Sequence, residues 1–186
     1  MDTYTIKWTR LQTEVFRFLC IKAGQSLNLR EIAKSLKKSP TAVSKSLQDL
    51  EKEGLVKVRK IGNMNLLSIE FNRDNEIAIE LKRVENLKLI YESGLAKFLE
   101  ENFPGTTIIL FGSYSRGDDA WTNEETKSDI DIAIIGTKSK EIKLTEFNKK
   151  LERTVIINFY PSFKEIHKHL KDNILNGIVL SGSVDL

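Results

Sequence analysis

The chain is poor in the residues that would make it a secreted scaffold, a membrane protein or a P-loop enzyme. Its 186 residues include one cysteine, Cys20, so an internal disulfide is excluded. On a helical face shared with Phe16, Cys20 reads as a small core residue. No apolar run approaches the roughly 18 residues needed to cross a bilayer, so no membrane partner is expected. The first residues, MDTYTIKWTRLQTEVF, lack the apolar segment of a signal peptide, which gives a cytoplasmic expectation. No Gly-x4-Gly-Lys-Ser/Thr loop occurs, which excludes a P-loop enzyme at the motif level. Repeats and low-complexity tracts are also missing. The two histidines, His167 and His169, lie two apart on an expected helix, hence on nearly opposite sides, and read as surface residues. What remains, 40% hydrophobic and 30% charged, is the composition of a soluble globular protein with room for one large or two small domains.

Charge is unevenly distributed. Residues 1–70 carry 13 Lys/Arg and 7 Asp/Glu, and residues 71–186 carry 16 and 19, so a net +6 half precedes a net −3 half. That split predicts a basic module for a polyanion followed by an acidic module able to hold metal.

In the basic half, residues 8–21 place Leu11, Val15, Phe18 and Leu19 at helical spacing. Asn28 followed by Glu31 predicts a capped second helix with Ile32, Ala33 and Leu36 inward. Ser39-Pro40 starts a third, with Val43, Leu47 and Leu50 buried, and Gly54 ends it. Two short strands follow, Leu55 to Arg59 and Asn65 to Ile69, around a turn at Gly62-Asn63. Over this stretch, NLREIAKSLKKSPTAVSKSLQDLEKEGLVKVRKIGNMNLLSI, the sequence resembles the winged helix-turn-helix domains of prokaryotic transcription regulators. The resemblance implies a DNA-binding domain over residues 1–72. Its third helix would bring Thr41, Ser44, Lys45 and Gln48 toward base edges, and its wing Lys57, Arg59 and Lys60 toward phosphates. A connecting helical segment, 73–103, has Ile79, Leu81, Val84, Leu87, Ile90 and Leu95 as apolar positions, with a kink or break at Gly94.

The most informative stretch is TTIILFGSYSRGDDAWTNEETKSDIDIAII, residues 106–135. An apolar strand ends abruptly in Gly112-Ser113, and a second begins with Asp129 and Asp131. Residues two apart on a strand share a face, so the two carboxylates project side by side and repel unless a cation offsets them. Oxygen ligands of this kind suit Mg²⁺ (or Mn²⁺), with substrate phosphates completing its shell. Glycine at a strand-to-helix turn lets backbone N–H groups approach a phosphate. Further on, 143–151 reads as a helix, 154–160 as a strand, 163–170 as a helix and 174–180 as an apolar tail packing on the core. These make an α/β unit over 104–186, and the whole a two-domain α+β chain.

FGSYSRG followed by SDIDIAII resembles the minimal nucleotidyltransferases of the DNA polymerase beta superfamily, the likeness covering residues 106–182. It implies a small mixed sheet with helices, a nucleoside triphosphate on Gly112 and Ser113, Mg²⁺ on Asp129 and Asp131, and Arg116 gripping the phosphate tail. An acceptor would attack the α-phosphate and release pyrophosphate. Two departures from the pattern stand out. The linking segment carries an extra DDAWTNEET, read as a solvated loop with Asp118, Asp119, Glu124, Glu125 and an exposed Trp121. In place of a third acid on the later strand stands Asn158, an amide that cannot take up a proton, with Glu152 as the alternative third ligand. Three functions are therefore open: a transferase directed to DNA, a regulator whose second domain only senses nucleotide, or the antitoxin of a toxin pair. Their partners would be a nucleoside triphosphate, DNA, a protein acceptor or toxin, or a second copy of the chain.

Overall fold

The computed structural model describes residues 8–61, 66–121 and 127–184. The chain divides into two compact units, 1–78 and 79–186. The boundary between them falls inside the expected connecting segment, 73–103.

In the first unit, α1 (Arg10–Ile21), α2 (Leu29–Leu36) and α3 (Pro40–Lys52) precede an antiparallel pair, β1 (Val56–Ile61) and β2 (Leu66–Phe71). Local chemistry fixes the helix starts. Asn28 and Glu31 form a reciprocal capping box at α2, and the Ser39 hydroxyl accepts from the Ala42 N–H with Pro40 in the first turn of α3. In α1 the inward face is Val15, Phe16, Leu19 and Cys20, with Leu11 and Phe18 only half-buried. The expected face is turned because Gln12 is buried, receiving the Thr9 N–H at 2.6 Å and donating to Asp49 at 2.7 Å. The expected turn at Gly62-Asn63 lies outside the described residues.

The second unit is built on a four-stranded sheet of order β5-β4-β3-β6. Its strands are β3 (Thr107–Phe111), β4 (Ile130–Ile135), β5 (Val155–Tyr160) and β6 (Ile178–Ser181). β3 pairs antiparallel with β4 and β6, whereas β4 and β5 run parallel. Alternation assigns the two faces. Ile108, Leu110, Ile130, Ile132 and Ile134 pack with residues of α4 (Glu76–Glu92), α5 (Leu95–Asn102) and α7 (Thr145–Leu151). Ile109, Phe111, Ala133 and Ile135 pack with Phe163, Ile166 and Ile174 on the other side. Gly94, at φ +83°, separates α4 from α5, a break rather than a kink. The 163–170 helix is instead a single 3-10 turn, Phe163–Glu165, followed by α8 (Lys168–Leu175), and the 174–180 tail ends as β6, an added strand. Among the described residues no helix is long and apolar enough to cross a membrane.

One helix face departs from its apolar pattern. In α4, Val84 is exposed, while Ala78, Lys82, Asn86 and Ile90 are buried. Lys82 and Asn86 turn inward because they hold Asp119, which is 1% exposed. The Lys82 ammonium pairs with Asp119 Oδ1, Asn86 Nδ2 donates to the same oxygen at 2.7 Å, and Arg153 Nη2 donates to Oδ2 at 3.3 Å. The segment expected as a solvated loop is therefore anchored in the interior by its own acid. Trp121 is half-buried rather than exposed, with Lys127 Nζ 5.0 Å and Arg153 Cζ 5.3 Å from its ring centre. Glu124 and Glu125 lie outside the described residues. Removing one member of a buried ion pair leaves the others' charge uncompensated, at a cost of about 3–5 kcal/mol. Asp119→Ala should therefore lower the stability of the second unit by about that much in urea denaturation, and Asp119→Asn by less, since its amide oxygen can still accept from Lys82 and Asn86 although the Arg153 bond is lost.

Candidate functional site

The two segments singled out in the sequence meet at one end of the sheet. Phe111, the last residue of β3, is the register partner of Asp131, the second residue of β4. Gly112 and Ser113 leave β3 where β4 begins and open α6 (Gly112–Arg116). Asp131 thus lies beside the Gly-Ser turn, and Asp129 precedes the strand by one residue; both are half-buried.

Gly112 answers two constraints. Its φ is +77°, a region that costs any other L-residue strain, and a Cβ there would stand 2.5 Å from Asp131 Oδ2. Glycine therefore makes room for the carboxylate as well as bending the backbone. Gly117, at φ +81°, ends α6, and a Cβ on it would meet the Ile79 carbonyl of α4 at 2.6 Å. The Arg-Gly step is thus also a packing requirement. Arg116 itself is exposed, with Nε on Asp118 at 3.0 Å and Nη1 on Asn173 at 3.1 Å.

The stem of the loop that delivers Asp129 is closed by hydrogen bonds. Ser128 N–H donates to the Ala120 carbonyl at 3.1 Å, Ala120 N–H to Ser128 Oγ at 3.1 Å, and Trp121 bridges Lys127. Asp119 is the residue before Ala120, so the buried charge cluster and the site share one strut. No sequence pattern marks this arrangement: an acid beside another acid in a polar stretch reads as surface.

Burial first, and then the neighbouring Asp129 charge, push the Asp131 carboxyl above the usual range for an aspartate. Two hard oxygen donors, one of them destabilised as an anion, fit a divalent cation such as Mg²⁺. Among the described residues no third His, Cys, Asp or Glu joins them. Parallel register matches Asp131 with Ile156 and Ala133 with Asn158. Ile156 is therefore the β5 residue beside Asp131. Asn158 is on the same face, two residues or about 7 Å farther along. Glu152 is at the end of α7 with φ +52°. His167 precedes α8 instead of lying within it, so the two imidazoles are neighbours, 5.5 Å between centres, and not on opposite sides.

In the first unit, Thr41, Lys45 and Gln48 are exposed and Ser44 half-buried on α3. With Leu29 and Pro40 they line a hollow of about 390 Å³. Arg59 and Lys60 are exposed on β1, but the Lys57 ammonium is paired with Asp74, whose carboxyl it holds below the usual range.

Two family models match the chain. A nucleotidyltransferase domain matches residues 92–181, and the bacterial regulatory protein, arsR family, matches residues 14–58. No curated protein matches. Among solved structures, a ZitR mutant of Lactococcus lactis is 22% identical, covering 55% of this chain and 67% of that one at a TM-score of 0.41. The adhesin competence repressor AdcR of Streptococcus pyogenes is 20% identical, covering 55% and 71% at 0.42. The MepR–DNA complex of S. aureus is 19% identical, covering 50% and 80% at 0.36. At these TM-scores the likeness carries no functional argument.

A carboxyl whose pKa rises on folding favours the folded state while protonated. Its contribution is full below the ordinary aspartate range, about 4, and is lost as pH rises through the raised value. In the absence of divalent ions, Asp131→Asn should therefore melt above the unsubstituted chain at pH 7. The gap should close as pH falls to about 4. Adding Mg²⁺ should raise the melting temperature of the unsubstituted chain but not of the variant.

Proposed function

We propose that this chain, a winged helix joined to a nucleotidyltransferase domain, transfers a nucleoside monophosphate from a nucleoside triphosphate to an acceptor and is directed to DNA by its first unit. The observation that carries this reading is the meeting of Asp129, Asp131 and the Gly112-Ser113 turn at one end of the sheet. Asp129 and Asp131 would hold Mg²⁺, which when bound neutralises charge developing on the phosphoryl oxygens. Backbone N–H groups at Gly112 and Ser113 would donate to phosphate oxygens, and Gly112, lacking a side chain, leaves room for the approach. Arg116 would exchange Asp118 for the phosphate tail, since an exposed ion pair of this kind is weak, on the order of 0–1 kcal/mol. All of this chemistry suits a cytoplasmic protein.

A second reading, a DNA-binding regulator that senses nucleotide without turning it over, is favoured by one observation. The β5 residue beside Asp131 is the apolar Ile156, so a third carboxylate is missing where register would put it. A general base is typically worth about 10² to 10⁴ in rate, so binding should exceed turnover under either reading.

The test is calorimetry of Mg²⁺-dependent nucleoside triphosphate binding, together with pyrophosphate release over candidate acceptors. Asp129→Asn with Asp131→Asn should abolish metal-dependent binding with the fold retained; unchanged affinity would sink the proposal. Ile156→Asp should raise Mg²⁺ affinity or turnover more than Asn158→Asp does, because it stands beside Asp131. The reverse order would identify Asn158 as the third position.

For the first unit, DNA affinity should fall steeply with salt as counterions are released. Arg59→Ala with Lys60→Ala should weaken all sequences alike. Lys45→Ala or Gln48→Ala should blunt sequence preference, and Lys57→Ala should matter least because Asp74 already holds that ammonium. A chain without DNA affinity at low salt would make the first unit a protein-interaction module.

A further inference from the structure

Arg116 ends α6 and is held from two directions. Its Nε donates to Asp118 Oδ2 at 3.0 Å, and its Nη1 donates to Asn173 Oδ1 at 3.1 Å. The two acceptors differ in charge and in how firmly they are fixed. Asp118 lies just past Gly117 with its side chain 53% exposed, so that contact is weak and readily exchanged. Asn173 is half-buried on α8, next to Ile174, which is fully buried among Ile109, Phe111, Ala133 and Ile135. Gly177, just beyond α8, packs so closely on β3 that a Cβ there would stand 2.4 Å from the Leu110 carbonyl. The helix is thereby fixed against the sheet that carries the acid pair, and it brings Asn173 to a guanidinium 57 residues away in sequence.

The neutrality of Asn173 has a chemical consequence. A guanidinium has donors and no acceptor, and an amide oxygen takes one of those donors without cancelling the charge. With Asp118 in place, the Arg116–Asp118 pair is neutral. When an anion displaces that carboxylate, the amide on α8 still holds the guanidinium, which then presents a full positive charge in a set orientation. A carboxylate on α8 could not step aside and would keep Arg116 neutralised.

We infer that Asn173 is a positioning residue: it orients Arg116 toward the polyphosphate tail, so that the site takes a nucleoside triphosphate in preference to a monophosphate. The inference rests on the nucleotidyltransferase reading above. Asp118 is the exchangeable partner of Arg116, and Asn173 is the lasting one. Gly112 and Arg116 are four residues apart on α6, on one face and about 6 Å from each other along the axis. Arg116 therefore stands one turn beyond the Gly112-Ser113 cradle, where the far end of a linked phosphate chain lies and not its first phosphate.

Calorimetry of the full chain with Mg²⁺ and ATP, CTP, GTP or UTP, and with the matching monophosphates, tests it. Asn173→Ala should weaken triphosphate binding about five- to tenfold and leave monophosphate binding unchanged. Alanine favours a helix more than asparagine does, so a weakened α8 would not explain the loss, and the melting temperature should hold. Asn173→Asp should cost more than Asn173→Ala, because the added carboxylate claims Arg116 and repels the tail. Since Asn173 acts through Arg116, replacing it should make no further difference once Arg116→Ala is present. Full triphosphate affinity in Asn173→Ala overturns the inference. So does a loss that persists in the Arg116→Ala background, or tighter binding by Asn173→Asp than by Asn173→Ala. Binding that needs Asp129 and Asp131 but ignores Asn173 sinks this inference alone. A chain that binds no Mg²⁺–triphosphate sinks it together with the reading on which it rests.

Discussion

The second unit depends on the burial of one carboxylate. Asp119 is all but inaccessible to solvent, and an ion in that position is tolerable only when opposite charge and hydrogen bonds surround it. The groups that surround it come from distant parts of the sequence. Lys82 and Asn86 belong to α4, and Arg153 precedes β5 by two residues. One acid therefore fixes the loop after α6 to a helix on its N-terminal side and to the strand that runs beside β4. Because Ala120 and Ser128 close the same loop, Asp129 inherits its position from that anchor.

The contrast with Asp131 is instructive. Asp119 has its counter-charges within reach, whereas burial and the neighbouring Asp129 charge both raise the cost of ionising Asp131. The fold thus satisfies one buried carboxylate fully and leaves another, later in the chain, beside a like charge.

Features that local chemistry decides were legible in the sequence. The capping box at Asn28 and Glu31, the Ser39-Pro40 helix start and the Gly94 break follow from side chains within a few residues of one another. The acid pair and the Gly-Ser turn were legible because abrupt ends of apolar runs mark them. Features decided by partners far along the chain were not. Lys82 and Asn86 look like the wet side of α4 until Asp119 is known to need them, and Val84 looks like core for the same reason. That Ile156 rather than Asn158 stands beside Asp131 is a matter of strand register, which composition of β5 alone does not fix. The helix at 163–170 shifted because His167 lies outside α8, with the 3-10 turn taking the preceding residues.

The contact between Gly112 and Asp131 has a consequence for how such a site is lost. A methyl group at position 112 would occupy the space of the Asp131 carboxylate. The two positions are therefore coupled: a chain may keep both acids and still have a collapsed site if the glycine has gone. Conversely, once the carboxylate at 131 is replaced by something smaller, the steric half of the demand on position 112 disappears, although its positive φ persists. Decay should accordingly run through the acid first and the glycine afterwards. Gly112 beside Asp131 keeps open the space that the carboxylate occupies.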